Sequence, residues 1–187
     1  MEKAVQVIQI TKELSGRWII PILLSLDKSG GRFTPLKNIL QISPSRLSSN
    51  LKTMTEAGLI QHLSPFERNH PLLPEYELTE KGLFMKEAAY VISNTEHQLS
   101  QGFLAAKAWN WPVLLALYCQ YHEFNAIRQL LQTVTPRILS RRLGELWEKG
   151  LVEKTLITDP TPKYTYALND DVKPIIRSAM SDLSALL

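Results

Sequence analysis

Only one cysteine, Cys119, stands in the 187 residues, so the chain forms neither an internal disulfide nor a Cys-rich zinc site. A reducing cytoplasm is the compartment that fits. Charge of one sign is scarce as well: 21 Lys and Arg against 18 Asp and Glu leave a net +3. That balance permits a polyanionic partner without demanding one. No apolar run approaches the ~20 residues of a bilayer-spanning helix; the best stretch is Val113 to Cys119, so no membrane partner is expected. The opening MEKAVQVIQITKELSG interleaves Gln and Thr with its apolar residues and lacks a small-residue cleavage site, so no secretory leader is expected. Enzyme signatures are missing too: there is no Gly-rich phosphate loop, no G-x-S-x-G and no H-E-x-x-H. The histidines, His62, His70, His97 and His122, are scattered without ligand spacing. No catalytic residue, metal or cofactor is therefore expected. What remains is 44% hydrophobic and 21% charged, the composition of a folded globular chain.

What the sequence does have is itself, twice. Trp18, Pro21, Leu23, Leu24 and Leu26 return as Trp109, Pro112, Leu114, Leu115 and Leu117, each 91 positions later, as do Phe33 in Phe124 and Gln41 in Gln132. After one insertion the spacing is 92, pairing Pro44 with Pro136, Leu47 with Leu139, Leu51 with Leu143, Gly58 with Gly150 and Leu59 with Leu151. Tyr76 and Leu78 then meet Tyr166 and Leu168 at a spacing of 90. Ordered matches along nearly the whole chain indicate a tandem duplication. Ser93-Asn94-Thr95-Glu96 has capping-box spacing and predicts a helix start there. A cut after Ser93 gives domains 1–93 and 94–187. With no Gly/Ser- or Pro-rich linker, the halves are expected to join through packed helices in a fixed orientation.

Within copy one, Glu2 to Leu14 and Trp18 to Leu26 read as helices, and Asp27 to Gly31 as a turn. Thr34-Pro35 reads as a cap and first helical proline, opening a helix that turns Leu36, Ile39 and Leu40 inward. Ser43-Pro44 repeats the signal for a helix with Leu47, Leu51 and Met54 on its buried stripe, ended by Gly58. Leu59 to Ser64 and Glu75 to Thr79 flank a Pro-rich tip and read as a hairpin, after which Thr79 caps a further helix. In copy two Asn125 takes the cap position of Thr34, and Thr135-Pro136 that of Ser43-Pro44. Leu139, Leu143 and Leu146 form the stripe, and Leu151 to Thr158 with Tyr164 to Leu168 form the hairpin. Helices followed by a hairpin and another helix make a winged helix. The fold class is mainly α with small β-hairpins (α+β).

Gly16-Arg17-Trp18, Arg32-Phe33-Thr34-Pro35-Leu36, Ile42-Ser43-Pro44, Glu56-Ala57-Gly58-Leu59-Ile60 and Tyr76-Glu77-Leu78-Thr79-Glu80-Lys81-Gly82 resemble the successive signatures of the HxlR branch of the MarR-type transcription regulators. Copy two is most similar in Thr135 to Leu143 and Glu148 to Val152. The resemblance implies a winged helix-turn-helix DNA-binding regulator whose partner is double-stranded DNA, with room for an unidentified small-molecule effector. Such regulators generally act as homodimers joined by terminal helices. Here the helices around Glu80 to Ala108 are expected to supply that contact internally, giving an intramolecular pseudo-dimer; association of whole chains into a homodimer stays open. Some members of the family sense electrophiles through a cysteine near the amino terminus. This chain has none there, and Cys119 reads as an inert buried thiol.

A helix-turn-helix lays its second helix in the major groove. With Leu47 and Leu51 buried, a 100° step turns Ser45, Ser49 and Lys52 outward and puts Arg46 and Ser48 on the flanks. The same positions of copy two hold Arg137 and Arg141 outward and Ser140 on a flank. Arg142 lies nearer the stripe, where it either joins the DNA contacts or pairs with Glu145 or Glu148. The wings add Arg68 in copy one and Lys163 in copy two as backbone contacts, with His70 read as a wing-tip surface residue. Arginine pairs bidentately with guanine or holds a phosphate, whereas serine makes shorter contacts, so copy two is expected to grip harder. The tryptophans Trp18, Trp109, Trp111 and Trp147 read as core. The rival functions are a protein–protein adaptor built from tandem winged helices, and a regulator with one DNA-binding head whose other head serves dimerisation or ligand sensing.

Overall fold

Stripes of Leu, Ile and Val interrupted by turn residues give nine α-helices and four strands among residues 2–187, the part of the chain that the computed structural model describes. The helix α1 (Glu2–Glu13) opens this part. Next come α2 (Ile19–Ser25), a 3-10 turn over Asp27–Ser29, α3 (Phe33–Leu40) and α4 (Pro44–Glu56). A hairpin of β1 (Ile60–His62) and β2 (Tyr76–Leu78) leads into the long helix α5 (Glu80–Leu99). After a 3-10 turn over Leu104–Ala106, the order returns as α6 (Asn110–Tyr118), α7 (Phe124–Leu131), α8 (Pro136–Glu148), the hairpin β3 (Val152–Ile157) and β4 (Lys163–Leu168), and α9 (Val172–Ala185). The chain divides into two compact units. One is Gly16–Tyr90; the other joins the chain up to Ser15 with Val91–Leu187.

In the Gly16–Tyr90 unit, Ile22, Leu23 and Leu26 meet Leu36, Leu47, Leu51 and Met54 in the core, closed by Leu59, Ile60, Met85 and Ala88. The strands pair antiparallel, with Gln61 opposite Glu77, and an isolated bridge from Arg32 to Glu75 adds a third edge. In the other unit α6 is apolar all round, and eight of its nine residues, Asn110 to Leu117, are buried. Helices α1, α7, α8 and α9 pack against it. A helix that is hydrophobic on every side needs cover on every side. Because α7 to α9 alone belong to the repeat, α1 completes the enclosure. It comes first in sequence order yet packs on α6 and α9 of the second repeat.

Several expectations need correction. No helix starts at Ser93: α5 runs unbroken from Glu80 to Leu99. A capping box satisfies N–H groups that have no carbonyl acceptor one turn before them, and the residues before Ser93 are already helical and supply those acceptors. Inside the helix Thr95 Oγ1 donates to Val91 O at 2.7 Å. Glu96 instead accepts from Trp111 Nε1 and Ala105 N–H, each at 2.7 Å, which pins the stretch after α5. Burial raises its pKa, while these hydrogen bonds act in the opposite direction. The starts of α3 and α7 also lie earlier than Thr34 and Asn125, with Arg32 and Glu123 at the caps. Pro35 still falls in the first turn, where its missing N–H has no intrahelical acceptor to lose. Leu36 is buried as expected, but Ile39 is 47% exposed, and Trp147 is 53% exposed rather than core. Among the described residues no helix is long and apolar enough to cross a membrane.

Candidate nucleic-acid interface

Ser43 and Thr135, in extended backbone, cap α4 and α8, and Pro44 and Pro136 take the first helical positions. Only Thr135 uses its side chain, accepting from Ile138 N–H at 3.3 Å. Leu47, Leu51 and Met54 bury one side of α4, and Leu139, Leu143 and Leu146 bury the same side of α8. Both helices end on the same device. Gly58 and Gly150 have φ of +70° and +72°, in the left-handed region that glycine enters without strain. The next N–H groups return to the helices, Leu59 to Met54 O at 2.9 Å and Leu151 to Leu146 O at 3.0 Å.

These anchors fix which side chains each helix offers. On α4, Ser45, Arg46, Ser48, Ser49 and Lys52 are all exposed. Lys52 lies 3.9 Å from Glu56, a solvent-exposed pair one turn apart. On α8, Arg137, Ser140 and Arg141 are exposed. Among the described residues neither Arg137 nor Arg141 has a hydrogen-bond or ion-pair partner. Arg142 is placed differently: it is 7% exposed. Its Nη1 lies 3.1 Å from Glu145 Oε2, its Nη2 donates to Glu145 Oε1 at 3.3 Å, and its Nε is buried without a partner. Lys107 reaches the same carboxylate at 3.0 Å.

The wings diverge more than the helices. In the first, Arg68 is half-buried and holds the loop together, donating from Nε to Leu63 O at 2.8 Å and from Nη1 to Pro71 O at 3.3 Å. The buried Glu75 carboxylate accepts from Asn69 N–H and Asn69 Nδ2 at 3.0 and 2.9 Å. This loop exposes apolar side chains: Phe66 is 98% exposed, and Leu72 and Leu73 are exposed as well. His70 is exposed there as expected. The second wing has six-residue strands and a polar tip. Lys163 pairs with Glu123 at 2.7 Å, and Lys154 stands 3.9 Å over the Tyr164 ring. Two cations escaped notice in the sequence. Lys154 was hidden because its aromatic partner sits on the opposite strand. Arg128, exposed on α7, was legible in principle, since the repeat places it on Lys37 of α3.

Cys119, just past the end of α6, is half-buried; burial pushes its thiol pKa up, away from the reactive thiolate. No group of three or more potential metal-ligating side chains occurs among the described residues.

The architecture has relatives. The HxlR-like helix-turn-helix family matches residues 13–100 and again 104–185. Among solved structures, that of diamide-treated YodB from B. subtilis is similar at 21% identity and a TM-score of 0.38, over 48% of this chain and 85% of that one. No curated protein matches the chain. The chain belongs to the HxlR-like helix-turn-helix family of DNA-binding transcription regulators and carries the family's domain twice.

Proposed function

We propose that one chain supplies two DNA-reading heads, divided in sequence near Ser93, as an intramolecular pseudo-dimer on double-stranded DNA, and that the second head provides most of the grip. The observation that carries this reading is the pair Arg137 and Arg141, one turn apart on α8, exposed and without partners among the described residues. Unpaired arginines on the outer face of a recognition helix suit bidentate contact with guanine or phosphate. In α4 the same positions are Ser45 and Ser49, so Arg46 and Lys52 are the cations available there. Arg142, tied to Glu145, supports the helix rather than reading a base. Ser140 and Ser48 contribute short flanking contacts. Lys163 and Lys154 position the second wing on the phosphate backbone, a role for which Arg68 is less free.

Because the two reading helices differ, the favoured operator is an imperfect palindrome with half-sites about one helical turn apart. Binding of Arg141→Ala and Ser49→Ala proteins to an operator selected from random DNA, at two salt concentrations, tests this. Arg141→Ala should weaken binding about tenfold or more, as loss of a bidentate contact does, and should flatten the salt dependence if the contact is to phosphate. Ser49→Ala should change affinity little. Equal losses would count against the asymmetry, and a strict palindrome would favour dimerisation of whole chains. The exposed apolar side chains of the first wing support a second reading, in which that head contacts protein and the second alone holds DNA.

A further inference from the structure

The helix α1 forms one wall of a half-open cavity in the second repeat. Ala4, Val5 and Ile8 on α1, with Cys119, Tyr121 and Leu130, line a space of about 330 Å³. Among the described residues no Lys, Arg, His, Asp or Glu lines it. Burial pushes the Cys119 thiol further toward its neutral form, so these six side chains carry no charge at neutral pH. Among the described residues the lining offers no charged side chain to an anion or a metal ion. An enclosed apolar cavity of about 150 Å³ admits benzene, so the space has room for a molecule of that size. In the first repeat the equivalent residues face solvent: Leu130 corresponds there to Ile39, which is exposed, and Cys119 to the exposed Lys28.

The same helix reaches the reading head at its other end. Lys12 Nζ donates to Thr133 Oγ1 at 3.0 Å and stands 5.0 Å from the centre of the Trp109 ring. Thr133 lies in the turn between α7 and α8, two residues before the cap Thr135. One helix of 12 residues therefore bounds the cavity with its first turns and touches the helix-turn-helix turn with its last.

We propose that this cavity binds a small, uncharged, apolar molecule, and that occupancy is passed along α1 to α8 through the Lys12–Thr133 contact. An occupant that fits better when α1 is displaced shifts α1, and by linkage the ligand and DNA alter each other's affinity by the same factor. The coupling rests on the DNA reading proposed above; the binding does not.

Indole serves as the probe, and Cys119, the only thiol, as the reporter. Modification of Cys119 by N-ethylmaleimide is followed by intact mass. Indole should slow it severalfold with a saturable dependence on concentration. Ala4→Trp, which fills the cavity, should slow the reaction without indole and abolish the indole effect, and Ala4→Leu should do the same in part with less demand on folding. A labelling rate unaffected by saturating indole in the folded protein overturns the site. DNA affinity is then measured with and without indole for the wild type and Lys12→Met. Indole should change it severalfold in the wild type and not in the variant, while Cys119 protection persists in both. The same change in both proteins, or none in the wild type, overturns the coupling. Absence of DNA binding under every condition overturns the reading of the heads, and the coupling with it, whereas the labelling result still decides the cavity.

Discussion

The two repeats agree in their hydrogen bonds more closely than in their side chains. Tyr76 N–H donates to Gly31 O and Tyr166 N–H to His122 O, both at 2.8 Å. Thr79 N–H donates to Leu59 O and Asn169 N–H to Leu151 O, both at 3.1 Å. The side chains of Thr79 and Asn169 reach Gly58 O and Gly150 O, both at 2.6 Å, with a hydroxyl in one copy and an amide in the other. The bridge from Arg32 to Glu75 returns as the bridge from Glu123 to Thr165. Buried backbone groups must be paired, so the bonds that join hairpin to helices persisted while the residues around them changed. Where nothing is buried the copies part: serines face arginines on the recognition helices, and a wing loop with exposed apolar side chains faces a polar tip.

The sharpest difference inside the scaffold lies where β1 meets α5. A Cβ on Gly82 would stand 1.9 Å from Leu59 O, yet the second repeat has Val172 at the corresponding position and buries it. Gly82→Val therefore imports the second repeat's own residue into a space that backbone occupies. It should cost more than about 3 kcal/mol, the range of severe overpacking, and unfold the Gly16–Tyr90 unit at lower urea than the rest of the chain. Urea unfolding followed by hydrogen exchange measures both units. An unchanged midpoint would show that the two helix-to-hairpin joints are interchangeable after all.

Next in size is the ion pair of the second repeat between the buried Arg142 and the partly exposed Glu145. Glu145→Ala leaves Arg142 buried and unpaired, at a cost of about 3 kcal/mol. Arg142→Met removes the cation, fills a similar volume and should be close to neutral. Asn50, the counterpart of Arg142, donates its side-chain hydrogen bond to Arg46 O one turn away, and Asn50→Ala should fall within about 0.5 kcal/mol of wild type. Arg142→Met also separates support from reading. A folded variant with unchanged DNA affinity keeps Arg142 in the scaffold, and a drop in affinity returns it to the contact face.

Much of this was legible in the sequence because it is local. The stripes Leu47-Leu51-Met54 and Leu139-Leu143-Leu146, the Pro44 and Pro136 starts and the glycine stops each report on a few neighbouring residues. The repeat then showed that two scaffolds share one plan. The destination of α1 was not legible, since an apolar face in a sequence says that something covers it without saying what. Ser93 to Glu96 misled for a related reason: capping-box spacing is compatible with a helix start without requiring one, and Glu96 is committed to Trp111 and Ala105. Trp147 and Ile39 follow the helical period only approximately, and the period assigns a face without saying how far burial extends around it. Of the candidate site, the outward direction of Arg137 and Arg141 was legible from the stripe. The inward turn of Arg142 was not, because an arginine at the stripe's margin points either way until its carboxylate partner is placed.

The smallest effect tests whether the start of each recognition helix is equally secured. Thr135 accepts a hydrogen bond from the Ile138 N–H, whereas Ser43 makes no such bond although it occupies the same place before the same proline. An unsatisfied N–H in the first turn is left to water, and water serves it nearly as well when the turn is exposed. Thr135→Ala should therefore cost about 0.5–1 kcal/mol, and Ser43→Ala less, read as shifts in the unfolding midpoint of each unit. The same substitution bears on DNA reading. Arg137 is the second residue of α8, so fraying of the first turn after Thr135→Ala should loosen Arg137 and weaken DNA binding beyond any effect of Ser43→Ala. Equal losses of stability from the two alanines would mean that Ser43 caps α4 in solution, and the recognition helices would then differ in their outward side chains alone.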